Sequence, residues 1–147
     1  MDSAKKEALR DDGTSHLAEP KSYGPLAGAK ILGLGVDAKS TSIRLTVDDG
    51  TLVTFVVGGD CCSISWIEHY DIPPNIAGAV ISWVRATQIE GRQCGYPHHR
   101  NEGAFDAYHG VCKFYDLRIA TNRGEAVFEF RNDSNGYYGA TICVEVE

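Results

Sequence analysis

A chain of 147 residues with 43% apolar and 23% charged residues fits one globular domain that buries its own core, not a disordered segment. Its net charge is −6 and its 14 basic residues are scattered rather than interleaved with aromatics, so nucleic acid is not an expected partner and the acidic balance disfavours anionic membranes. No run of 18 apolar residues and no apolar secretion segment occurs, so no membrane span or signal is expected, and the cytoplasm is the expected compartment.

Residues 1–28 are expected to form a polar arm, flexible or ordered by a partner, because they show no apolar periodicity. Within it "DSAKKEALR" offers about two turns of helix with Asp2 or Ser3 as cap. A single β-rich domain is expected over 29–147. It opens with "AKILGLGV" (29–36) and "TSIRLTV" (41–47), in which Ile43, Leu45 and Val47 alternate with Ser42, Arg44 and Thr46, the period of a half-buried strand. Asp49-Gly50 then signals a hairpin into "TLVTFVV" (51–57).

After Gly58-Gly59, Asp60 is a cap candidate, and Ile64, Ile67 and Tyr70 recur near helical spacing. A short helix is therefore expected over 61–70, stopped by the prolines of "DIPPN". "IAGAVISWVRATQIE" (76–90) returns to strand, with Val80, Ser82 and Val84 expected opposite Ile81, Trp83 and Arg85. Residues 91–110 hold four glycines and no period, which suggests a long loop. A meander closes the chain: 111–121, 125–132 and 137–147, with Ala126, Phe128 and Phe130 on one face and Tyr138, Ala140, Ile142, Val144 and Val146 inward. The fold class is α+β and β-rich: an antiparallel sheet, roll or partly open barrel of about seven strands with one short helix across it.

Three constellations could carry chemistry. The first is Cys61-Cys62, flanked by Asp60 and Ser63. Thiols at a helix start can have lowered pKa values, but Asp60 opposes that, and two small buried residues packing a corner is the plain alternative. The second is Cys94, His98, His99, His109 and Cys112, in the pattern C-x3-H-H-x9-H-x2-C. Cys94, His98, His109 and Cys112 could supply tetrahedral zinc, against the plain alternative of a polar loop with incidental histidines. With five cysteines, an odd number, thiols or metal ligands are expected rather than a disulfide framework. The third is "RNDSNGYYGA", where Asn132, Ser134, Asn135, Tyr137 and Tyr138 combine hydrogen-bonding groups with aromatic platforms suited to holding a ligand. Its plain alternative is a well-formed hairpin. There is no P-loop, no dinucleotide fingerprint and no nucleophile elbow, so an ordinary enzyme is not visible.

The order strand, "DDG" turn, strand, "GDCCSISWIE", strand, variable region and "RNDSNGYYGA" resembles a family of small, mostly phage-encoded domains of unknown function. That family is marked by a D-C-C-S helix start and a C-terminal S-N-G-Y-Y hairpin. Carried over by position, its marked residues are Asp60, Cys61, Cys62 and Ser63, with Ser134, Asn135, Gly136, Tyr137 and Tyr138. The resemblance implies an origin and not a mechanism. The expected function is a non-enzymatic phage accessory protein that binds a host or anti-phage-defence component, either a protein or a small nucleotide signal. The alternatives are a virion or assembly component using its N-terminal arm and a metal-binding protein using the 94–112 loop; an oligomer is compatible with each reading.

Overall fold

The structure, a computed structural model, describes residues 1–59, 63–94, 111–134 and 139–147. The chain begins with helix α1 (Ser3–Asp12), capped by Asp2, whose carboxylate accepts the Lys5 N–H at 2.8 Å, and ended by Gly13, whose N–H donates to the Arg10 carbonyl. Two short strands follow, β1 (Thr14–His16) and β2 (Lys21–Ser22), then one 3-10 turn over Gly24–Leu26. Eight longer strands complete the described fold: β3 (Ile31–Val36), β4 (Ser42–Val47), β5 (Thr51–Gly59), β6 (Ser63–Asp71), β7 (Ile81–Cys94), β8 (Val111–Thr121), β9 (Gly124–Ser134) and β10 (Ala140–Val146).

These strands form two five-stranded antiparallel sheets, ordered β1-β10-β5-β4-β3 and β2-β7-β8-β9-β6, which do not close into a barrel. The inward rows follow from alternation: Ile43, Leu45 and Val47 face Val53, Phe55 and Val57 within the first sheet, and Tyr115, Leu117 and Ile119 join Ala126, Phe128 and Phe130 in the second. All belong to one core. Each large apolar side chain buried there contributes about 1.5–3 kcal/mol relative to exposure. Rings pack the core further: Tyr23 meets Phe55 edge-on at 5.1 Å, and Tyr115 stacks on its cross-strand partner Phe130 at 5.4 Å. The sheets touch along two seams. At one, Gly28 and Ile31 donate to Ile81 and Ala79, and Ile81 donates back to Ala29; at the other, the Ile67 N–H donates to the Ser40 carbonyl at 2.7 Å.

Several sequence expectations change. The helix expected over 61–70 is not formed: residues Ser63–Asp71 are strand β6, paired with β9. A bulge between Ile67 and His69 puts Ile67 and Tyr70 three residues apart on one face, because one extra residue resets the two-residue period. Ile64 faces the other way, packed against Trp66 and Cys112, so the helical spacing joins residues of two faces. The helix of this fold is α1 instead. In β7 a bulge between Ile81 and Trp83 brings Ile81 and Val84 both into the core. Trp83 is 36% exposed, with the Arg85 guanidinium 4.8 Å from its ring. Residues 1–28 pack on their own chain, with Leu9, Leu17, Tyr23 and Leu26 at or near zero exposure.

Candidate functional site

Register decides which side chains meet at the end of the sandwich reached by β5, β6, β8 and β9. Strand β6 runs antiparallel to β9 with Ser63 opposite Ser134 and Ser65 opposite Asn132. The two sequence motifs therefore share one sheet end: the serine that closes D-C-C-S faces the serine that opens S-N-G-Y-Y. Asp60, Cys61, Cys62, Asn135, Tyr137 and Tyr138 lie outside the described residues, as do Gly136, His98, His99 and His109.

Asn132 continues the inward row of Phe128 and Phe130, in a place where an apolar residue would be usual, and it is fully buried. A buried amide must find partners or forfeit hydration. Its Nδ2 donates to Ser63 Oγ at 3.2 Å and Ser65 Oγ at 3.0 Å, and Ser65 Oγ donates to the Gly58 carbonyl at 2.7 Å. The pair Gly58-Gly59 is thus explained by crowding. A Cβ on Gly59 would lie 2.1 Å from Ser63 Oγ and 2.8 Å from Asn132 Nδ2, and one on Gly58 would lie 3.2 Å from Thr141 Oγ1. This cluster fixes the corner of the sandwich.

On its other side, Asn132 pairs with Lys113 of β8, and cross-strand partners lie within roughly 5 Å of each other at Cβ. Lys113 belongs to the inward row of β8, is half-buried, and lines a cleft of about 230 Å³ with His16, Gln88, Tyr115, Gly139 and Ala140. Gln88 and Tyr115 are themselves cross-strand partners. The Tyr115 hydroxyl accepts the Ala140 N–H at 3.2 Å, which leaves its proton available to the cleft. Burial pushes the Tyr115 pKa up, the bond from Ala140 only partly offsetting it, so the hydroxyl stays neutral and remains a donor at ordinary pH. Gly139 has to be glycine here, since a Cβ would stand 2.8 Å from the phenol oxygen. None of the described lining residues is a carboxylate.

The opposite face of the same sheet end has a different character. Cys112 is buried beside Trp66, with Ile64 and Phe114 packed against them, and the Arg131 guanidinium lies over the Phe114 ring at 3.9 Å. Of the four candidate zinc ligands, Cys94 and Cys112 are brought together as Cα partners on β7 and β8; His98 and His109 are outside the described residues. Among the described residues no group of three or more ligating side chains converges.

Sequence reasoning reached Ser63, Asn132 and Ser134 but missed His16, Gln88, Lys113, Tyr115 and Gly139. One signal was available: in "VCKFYDLRI" the row 111, 113, 115, 117, 119 reads Val, Lys, Tyr, Leu, Ile, a lysine in an otherwise core-facing register.

A family model described as a domain of unknown function (DUF7448) matches residues 25–144. No curated protein and no solved structure matches the chain. No described helix is long and apolar enough to cross a membrane.

Proposed function

We propose, for a chain that belongs to the DUF7448 family and takes no assigned activity from it, a non-enzymatic capture role at the open end of the sandwich. On this reading the protein is a phage accessory factor that holds a component of the host or of its anti-phage defences, and the small-molecule form of that idea has the better support. The observation that carries it is the register from Ser65 through Asn132 to Lys113, with Ser63 bonded to the Asn132 amide, which sets residues of both sequence motifs beside one cleft through Lys113. A preformed concavity with a few convergent polar groups is the usual making of a ligand site. A capture role also fits the chemistry present: among the described lining residues the cleft offers donors, with no nucleophile hydrogen-bonded to a base and no paired carboxylates. The virion alternative draws no support from the arm, whose Leu9 and Leu17 are buried in the chain's own core.

A thermal-shift screen tests this with a panel of polar metabolites, nucleotides and neutral nucleosides, followed by mass spectrometry of any compound that binds. The expected result is at least one compound that raises Tm and is recovered unchanged; at 100 times Kd the gain is about 2.7 kcal/mol, a shift of several degrees. No shift from any compound ends the small-molecule reading, and chemical conversion of a bound compound ends the non-enzymatic one.

A further inference from the structure

The capture reading leaves the ligand's chemistry open, and the cleft itself narrows it. In an acidic protein with 20 Asp and Glu against 14 Lys and Arg, a half-buried lysine facing inward should find a carboxylate. Lys113 makes no ion pair and no side-chain hydrogen bond among the described residues, and neither Gln88 nor His16 has a side-chain partner there. Their polar groups, with the Tyr115 hydroxyl, edge a single concavity that contains no described carboxylate. Lysine offers three N–H donors, glutamine two, and histidine and tyrosine at least one each. Such a surplus of donors around one cation matches a compact anion rich in acceptor oxygens.

We propose that the cleft binds the terminal phosphate of a small phosphate monoester, with Lys113 as the charge that holds it and Gln88, His16 and Tyr115 donating to its oxygens. A phosphate monoester presents three terminal oxygens and close to two negative charges near neutral pH, and lysine serves phosphate as a point charge. A carboxylate has fewer oxygens to occupy the available donors. Size argues the same way: about 230 Å³ is below the roughly 300 Å³ at which pockets enclose a drug-sized ligand. The cleft therefore encloses a charged head and leaves the remainder of the ligand outside. Gly139 supports the arrangement by letting the backbone approach the Tyr115 oxygen, so that Ala140 holds the phenol in place.

This inference rests on the capture reading, and the test separates the two. Isothermal titration is run on the full chain with inorganic phosphate, adenosine 5′-monophosphate and uncharged adenosine, on the wild type and on Lys113→Gln and Lys113→Arg, each variant checked by circular dichroism and Tm. The expected result is binding of the monophosphate, at least tenfold weaker binding of adenosine, a tenfold or greater loss in Lys113→Gln, and substantial rescue in Lys113→Arg. Inorganic phosphate binding on its own, also lost in Lys113→Gln, identifies the free ion as the ligand source and still supports a phosphate site. Adenosine binding as tightly as its monophosphate, with Lys113→Gln indifferent, overturns the phosphate assignment while capture stands. Absence of binding by all three probes overturns the assignment as well, and the capture reading then depends on the wider metabolite panel.

Discussion

Gly59 sits where the polar corner leaves no room for a methyl group. With a Cβ placed 2.1 Å from Ser63 Oγ and 2.8 Å from Asn132 Nδ2, Gly59→Ala must displace side chains that hydrogen-bond one another through the Asn132 Nδ2. Overpacking of this kind costs about 1–3 kcal/mol. The effect should be coupled to its neighbour: in a Ser63→Ala background the nearest clash disappears, so the same substitution should cost less, although the Asn132 contact persists. A double-mutant cycle by urea unfolding reads this directly. Equal penalties in both backgrounds would show that the corner relaxes by moving its backbone, and that the Ser63–Asn132 contact does not hold it. On the capture reading the same residues bear on the cleft, because Asn132 pairs with Lys113, so a corner that shifts also moves the cleft's only described lysine.

At the scale of elements, the turn between β3 and β4 acts as a clasp for one seam of the sandwich. Asp37 accepts the Thr41 N–H at 2.7 Å, the Thr41 hydroxyl at 2.9 Å and the Ser42 N–H at 2.9 Å. These bonds shape a loop in which Ser40 adopts φ 57 and its carbonyl receives the Ile67 N–H of β6. Partial burial raises the Asp37 pKa, but the bonds from Ser42, Thr41 and Lys39 outweigh it, and the carboxyl is held below its ordinary value. The sign follows from linkage. A depressed native pKa stabilises the fold fully above the unfolded carboxylate range, near pH 4, and that stability is lost as pH falls through the lower native value. Urea midpoints taken from pH 5 downward should therefore fall in the wild type. They should fall less steeply in Asp37→Asn, which carries no titrating carboxyl there. Identical slopes would mean that Asp37 contributes nothing to acid sensitivity.

The same elements show what could be seen in the sequence. Regular alternation made β4, β9 and β10 legible, because each has one face in the core and few irregularities, and the flanking turns placed β5 and β8. Strand β6 was misread as a helix because Ile67 and Tyr70 flank a bulge while Ile64 packs on the opposite face, and both follow from pairing and packing with other strands, which a local window does not contain. The inward rows of β7 were misassigned for the same reason at Ile81 and Trp83. At the site, hydrogen-bonding residue types made Ser63, Asn132 and Ser134 visible. The cleft was hidden because its lining comes from β1, β7, β8 and the start of β10, brought together only by the packing of the two sheets.

For the molecule as a whole, the main question is whether residues 1–28 belong to the fold. Their apolar side chains occur singly, at Leu9, Leu17, Tyr23 and Leu26, each on a different piece of structure. No window of sequence therefore shows a period, although every one of these residues is buried. The arm is fastened in three ways: β1 pairs with β10, Lys21 forms an ion pair with Asp12 across the arm, and Tyr23 donates its N–H to Val84 while its ring packs on Phe55. Leu9 carries the decisive contrast. As a core residue, Leu9→Ala should cost about 2–5 kcal/mol through lost burial and the cavity left behind. In a loosely attached arm it should fall within the roughly 0.5 kcal/mol typical of surface changes. Leu32→Ala, at a leucine 47% exposed on β3, supplies the surface reference in the same urea experiment. A Leu9 penalty no larger than the Leu32 one would detach the arm from the core. It would also detach His16 and Leu17 from the cleft, and the phosphate site would then have to be held by β7, β8 and β10 alone. A penalty of several kcal/mol makes the arm a wall of that site and links occupancy of the cleft to the stability of the whole chain.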